Sequence, residues 1–371
     1  MRLLTLLAYL PLALAAKTCT SNGPKDPSIY KLTVTADSKA LASLSEHFVA
    51  AGKNVSISDV LDSGNRAMTS KKPSIGNGNP IVSLSFNAGD VATTKWLPQG
   101  ITSSADADPS GKWEDRESWI VSWHQDDDSN ARVTFIDRAT NKYRHVYLVR
   151  PDGDSFGSVN VHAGGIVWVG QWLYVVDTSV GVRVFDLSNI WEVDVADGLG
   201  KQADGSYSAE NYLYVLPQIH YYRFSSTDGS KFRHSWISLD RTDNPPTLLV
   251  GEYQTEDTTS DIRFVKYPLN TTTGRLATNS AGVVTATEAY CADFLRAQGG
   301  FSRNGKIVVS RSNGGSKGGD RFTWTPGSAA VSKAGWFPPG NEDLSYNEVR
   351  KEWYTVTEHA GTRFLVGYDS Y

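Results

Sequence analysis

His162-Ala163-Gly164-Gly165-Ile166, followed by Trp172-Leu173-Tyr174-Val175-Val176-Asp177 and by Arg183-Val184-Phe185-Asp186-Leu187, is the run whose reading decides the fold. Its apolar stretches are short, rich in β-branched and aromatic residues, and bounded by Gly, Asp and Ser, as strands joined by tight turns are. The same order stands upstream: Gln99-Gly100-Ile101, then Trp119-Ile120-Val121-Ser122-Trp123-His124, then Arg132-Val133-Thr134-Phe135-Ile136-Asp137. It recurs downstream as Trp236-Ile237-Ser238-Leu239, Leu248-Leu249-Val250-Gly251-Glu252 and Arg263-Phe264-Val265. Gln298-Gly299-Gly300-Phe301, Ile307-Val308-Val309-Ser310-Arg311 and Arg321-Phe322-Thr323-Trp324 form a further unit. The last is Asp343-Leu344-Ser345-Tyr346, Trp353-Tyr354-Thr355-Val356-Thr357-Glu358 and Arg363-Phe364-Leu365-Val366. In each unit an apolar strand with a polar end precedes an arginine that opens another strand.

Units of about 40–80 residues, each with three strands and a more variable fourth, predict an all-β chain folded as a single β-propeller. A lone four-stranded blade leaves an apolar face bare, so the repeats must cover one another in a ring. Five blades follow from the repeats, and Ile81-Val82-Ser83-Leu84-Ser85-Phe86 is material for a sixth. A pair of two-sheet sandwiches is the competing architecture, but it has no need of a five-fold order. Only Ser38 to Ala50, with Leu41, Leu44, Phe48 and Val49 at helical spacing, reads as a helix. The expected organisation is therefore a leader over 1–16, an N-terminal extension with that one helix over 17–75, and the propeller over 76–371.

The blocks Val161-His162-Ala163-Gly164-Gly165-Ile166-Val167-Trp168, Leu173-Tyr174-Val175-Val176-Asp177-Thr178, Gly181-Val182-Arg183-Val184-Phe185-Asp186 and Lys142-Tyr143-Arg144-His145-Val146 carry a resemblance. Over residues 95–255 the chain resembles a group of secreted proteins of filamentous fungi and actinobacteria that have no assigned activity. The resemblance implies secretion and a propeller, and it transfers no catalytic residue. At the level of fold alone the chain is also similar to propeller glycosidases and polysaccharide lyases, an analogy that does not fix function.

The N-terminus carries Arg2, an apolar run from Leu3 to Leu14, and Ala13-Leu14-Ala15-Ala16, the pattern of a secretory signal peptide with a small-residue cleavage site. No later stretch has the length of apolar sequence that spans a bilayer, so membrane insertion is not expected. An extracellular location agrees with two sequons, Asn54-Val55-Ser56 and Asn270-Thr271-Thr272, expected to carry glycans. Cys19 and Cys291 are the only cysteines. In an oxidising compartment they predict one disulfide, whose long loop is worth about 4–5 kcal/mol on the chain-entropy account. The net charge is −4 and basic residues are scattered, which excludes the electrostatic footprint of a nucleic-acid binder.

In a propeller the inner strands line the channel, and its mouths bring several blades to one ligand. The alignment places Gln99, His162, Gln298 and Asp343 by the inner strands, and His124, Asp177, Glu252, Tyr253, Arg311, Glu358 and His359 at or beyond the ends of the second strands. His162 is the leading candidate base, since the glycines after it leave room beside the imidazole. The Asp126, Asp127 and Asp128 run after His124 is expected to favour its cation. Asp126, Asp128 and Asn130, with Asp137, resemble an EF-hand loop, but Ala131 stands where glycine is needed, so no metal site is assigned. The arginine repeated in each unit points to a recurring structural bond. No cofactor motif is present, so the cofactor is left open.

Two readings of function follow. The first is a carbohydrate-active enzyme on an extracellular glycan. As a lyase it would use His162 or Tyr253 as base, with Arg311 and His124 neutralising a uronate; as a hydrolase it would use Asp177, Glu252 and Glu358 or Asp343. The second is a non-catalytic secreted binding protein or effector, lectin-like or virulence-associated, whose partner is a glycan or a cell-surface component.

Overall fold

A computed structural model describes Cys19 and residues 22–256 and 260–369. The expected leader, 1–16, lies outside the described residues. The fold is all-β, and its strands come in successive antiparallel sets, one per sequence unit. The first set is Trp96–Ser103, Ser118–Gln125, Ala131–Asp137 and Lys142–Asp152. The second is Ile166–Val169, Trp172–Asp177, Gly181–Asp186 and Tyr214–Ser226. His234–Asp240, Thr247–Glu252, Arg263–Pro268 and Glu288–Cys291 form the third, and Ala297–Arg303, Lys306–Arg311, Gly319–Trp324 and Val331–Phe337 the fourth. The fifth takes Ser345–Asn347, Glu352–Val356 and Phe364–Tyr368 from the chain's end and Val82–Ser85 from near its start. The Ile81 to Phe86 stretch thus supplies the fourth strand of this last set, with Thr69–Ser70 paired outside it.

The second strand of each set reads as an almost unbroken apolar run because both of its faces are covered. Side chains alternate across a strand, so Leu173 and Val175 pack toward the first set with Ile120, Phe135 and Leu148. Trp172, Tyr174 and Val176 pack toward the third with Ile237, Leu248 and Val250. The third and fourth sets share Trp236, Phe264, Ile307 and Trp324; the fourth and fifth share Phe301, Phe337, Trp353 and Val366. Trp119, Val121 and Trp123 meet Tyr354, Val356 and Leu365, which joins the fifth set back to the first. The circle of shared cores is closed, as a propeller requires and a sandwich pair does not.

The first strand of each set touches the first strand of the next. The approach is backbone to backbone: a Cβ added to Gly165 would lie 2.5 Å from Trp236 Cα, and one on Gly299 would lie 2.6 Å from Asp343 Cα. Only glycine leaves that space. Polar seams tie these strands as well, with Ser345 donating to Asp106 Oδ2 at 2.6 Å and Ser302 donating to Asp240.

The expected helix is present as Lys39–Ala50, and its Phe48 stacks on Trp191 at 4.7 Å. The extension also holds a second helix, Ile57–Asp62, closed by a capping box between Ser56 and Asp59, so the expectation of one helix is corrected. A six-residue helix is too short to show a period, and its cap was its only sequence mark. The extension is woven into the sheets: Tyr30–Val34 pairs with Tyr214–Ser226, Thr69–Ser70 with Val82–Ser85, and Gly23–Lys25 with Glu288–Cys291. Cys19 and Cys291 are joined by a disulfide. No described helix is long and apolar enough to cross a membrane.

Candidate functional site

Antiparallel pairing brings the start of each first strand and the end of each second strand to the same end of the ring. The neighbours of the polar residues read from the sequence divide them into groups. Asp177 accepts from Arg183 Nε at 2.7 Å and from the backbone N–H groups of Ser179 and Val180. Glu252, 1 % exposed, receives Arg263 Nε at 2.8 Å and the backbone N–H groups of Arg233 and Arg263. Arg311 is paired with Asp320 through Nε at 2.9 Å. These three residues are tied to partners within their own sets. Tyr253 is partly buried, with its N–H donated to Ser235 Oγ and Arg233 over its ring.

The repeated arginine makes the expected internal bonds in several sets. Arg183 and Arg263 hold Asp177 and Glu252. Arg132 meets Asp90 at 3.1 Å between the rings of Trp96 and Trp123. Arg363 donates to the carbonyls of Glu358 and Asp90, and Arg321 lies over Trp336.

Among the described residues, Glu358 and Glu342 form no salt bridge with a lysine or arginine. Glu358, at the end of the second strand of the last set, accepts from Gln99 Nε2 at 3.0 Å. Glu342, just before the first strand of that set, accepts from Gln298 Nε2 at 3.1 Å. Burial pushes the Glu342 carboxyl well above the usual carboxylate range, and the charge of Glu358, hydrogen-bonded to it, pushes the same way. Two carboxyls sharing a site cannot both ionise, so they hold a proton between them. Glu358 keeps 18 % of its side chain in water, and His359 Nε2 lies 3.6 Å from its Oε1.

The sequence pattern points to Asp343, and the structure places its neighbour Glu342 beside Glu358 instead. The alignment held the signal: Gln99-Gly100, Gln298-Gly299 and Glu342-Asp343 occupy matching places, and the first member of each pair reaches the mouth. Asp343 faces inward. Its Oδ2 accepts from the backbone N–H groups of Ile166 at 3.1 Å and Ile101 at 3.4 Å, and burial raises its pKa. It pins three sets together at the axis.

His124 and His162 come together with their ring centroids 4.1 Å apart. Asp128 Oδ1 lies 2.6 Å from His124 Nδ1 and 3.0 Å from His162 Nδ1. The expectation that the acidic run makes His124 a cation is corrected: burial and the neighbouring His162 lower its pKa to about 4, against the opposing pull of Asp128. The calcium-loop resemblance dissolves too. Asn130 bonds Gln125 and Tyr147, and Asp137 bonds Arg116 and caps the Ala139-Thr140 turn.

No protein-family model matches this chain, and no curated protein matches it. Among solved structures it is similar to the β-propeller domain of Myceliophteria thermophila Cps50 (Swd1), with 9 % identity over 78 % of this chain and 100 % of that one at a TM-score of 0.37. It is similar to a GH43_1 enzyme from Xanthomonas citri, with 10 % identity, 76 % and 91 % coverage and a TM-score of 0.36. A thermostable family-43 glycoside hydrolase gives 9 % identity, 74 % and 88 % coverage and a TM-score of 0.34. At such identities and scores these similarities bear on neither substrate nor mechanism.

Proposed function

We propose that this chain is a secreted, five-bladed propeller enzyme that transfers protons to and from an extracellular glycan at the mouth of its channel. One set of strands is one blade, residues 76–371 form the ring, and the extension buttresses its edges. The observation that carries the reading is the buried Glu342 carboxyl, its pKa raised, hydrogen-bonded to the partly exposed Glu358. Glu358 is the group that meets substrate, and Glu342, held by Gln298, is a positioning residue hydrogen-bonded to it. Such a pair sets a buried acid with a raised pKa beside a partly exposed carboxyl.

Asp177, Glu252 and Arg311 are each neutralised in place, which favours Glu358 over them as the working group. A hydrolytic reaction fits better than elimination, because the Arg311 cation that a uronate would need is spent on Asp320. The same neutralised ion pairs also suit a non-catalytic glycan-binding protein, and the experiment separates the two. Purified protein incubated with plant and microbial glycans is expected to release reducing ends without new ultraviolet absorbance. On the best substrate, Glu358→Gln is expected to lower turnover by about 10²–10⁴-fold with little change in thermal unfolding. Absorbance appearing together with reducing ends would favour elimination. Binding of a glycan with neither product would leave the non-catalytic reading.

A further inference from the structure

We propose that His124, Asp128 and His162 form a binding site for a divalent transition-metal cation of the zinc type. Their ligand atoms, one from each residue, all lie within 4.8 Å of one another. Four-coordinate zinc with bonds of about 2.0–2.2 Å places neighbouring ligand atoms about 3.3–3.6 Å apart. With Asp128 Oδ1 2.6 Å and 3.0 Å from the two imidazole nitrogens, small side-chain shifts open the triangle to that size.

The strongest mark of an ion is His124 itself. It is buried at 4 % exposure, yet neither of its ring nitrogens makes a hydrogen bond. The Asp128 oxygen 2.6 Å from its Nδ1 is shared with His162, 3.0 Å away. Buried polar side chains are nearly always satisfied, and a cation shared with Asp128 and His162 would satisfy this one.

The fold also builds the frame that such a site needs. His124 stands one residue before the end of the second strand of the first set, and Asp128 follows in its hairpin at φ 58°. His162 arrives on the connection to the second set, beside Ala163 at φ 53°. That connection is fastened to the strand carrying His124, because Ser122 Oγ donates to the Ala163 carbonyl at 2.8 Å. A ligand from one set is thereby registered against ligands from another.

Two imidazoles and one carboxylate select a borderline metal, whereas calcium takes six to eight oxygens. Asp128 and His162 have 51 % and 44 % of their side chains exposed. Three protein ligands on an open rim leave a coordination position for water or for a ligand oxygen, as in open rather than structural zinc sites. The site stands at the same end of the ring as Glu358, yet none of this depends on the glycan reading.

The test uses the full chain, stripped with a chelator and titrated with Zn²⁺ by calorimetry, with Co²⁺ absorption as a second readout. One ion per chain is expected, together with a rise in unfolding temperature on saturation. His162→Ala changes an exposed side chain and is expected to fold and to lose at least about 10-fold in Zn²⁺ affinity. Asp128→Asn should weaken binding likewise, and exposed His47→Ala should leave it intact. Absence of stoichiometric Zn²⁺ uptake by the parent protein, or affinity within twofold of the parent in His162→Ala, would overturn the proposal.

Discussion

Glu342 and Asp343 are adjacent in the chain and do opposite work, because successive residues at a strand start point to opposite sides. Asp343 is sealed among backbone donors, while Glu342 meets a second carboxyl at the mouth. Both are held protonated by burial, so the folded state binds protons there that the unfolded chain releases above the ordinary carboxylate range. Their stabilising effect is full below that range and is lost as pH rises toward the raised pKa values, at up to about 1.4 kcal/mol per pH unit for each proton held. Glu342→Gln is therefore expected to flatten the decline in unfolding temperature between acid and neutral pH, measured by calorimetry across that interval. An unchanged slope would show that this carboxyl is ionised in the folded protein. The two sequons also differ at this scale. Asn270 is exposed, its Oδ1 accepting from the N–H groups of Thr272 and Thr273, whereas Asn54 is partly buried and donates Nδ2 to the Ser188 carbonyl. In a secretory host, glycopeptide mass spectrometry is expected to find Asn270 more fully occupied than Asn54.

The element that repeats is a hairpin whose far strand opens with an arginine, and in the second and third sets that arginine answers a carboxylate ending the previous strand. Glu252 and Arg263 are the most deeply buried instance, at 1 % and 4 % side-chain exposure. Removing one member of a buried pair leaves an uncompensated charge, so Arg263→Ala is expected to cost about 3–5 kcal/mol in urea unfolding. The double change Glu252→Leu with Arg263→Met should recover much of that loss, since apolar residues of similar volume avoid the desolvation cost altogether. A small loss in the single variant would mean that water reaches Glu252.

At the scale of the molecule, two devices hold the ring shut. Val82–Ser85 zips against Phe364–Tyr368, and the Cys19–Cys291 bridge fastens the N-terminal strand to the third set, 272 residues away in sequence. Loss of a disulfide closing so long a loop is expected to destabilise by about 2–5 kcal/mol. Reduction should therefore lower the unfolding temperature by several degrees while one cooperative transition persists. Titration of denatured, unreduced protein should find no free thiols, and two per chain would remove the bridge. Limited proteolysis should not yield separable compact pieces, because each set shares its core with both neighbours.

What the sequence by itself determined was the repeating part. Strand order, the arginine in each unit, the long helix and the cysteine pair are written in local composition and spacing, which neighbours along the chain suffice to reveal. Only the tertiary structure decided which of the polar residues are spent. Asp177, Glu252 and Arg311 look as available as Glu358 in the sequence, and it is the residue opposite each, 6 to 11 positions along or 259 away at Gln99, that ties it or leaves it a working partner. His124, Asp128 and His162 likewise meet because the connection into the second set is fastened over the end of a first-set strand, a contact set by packing across sets that no period in the chain encodes.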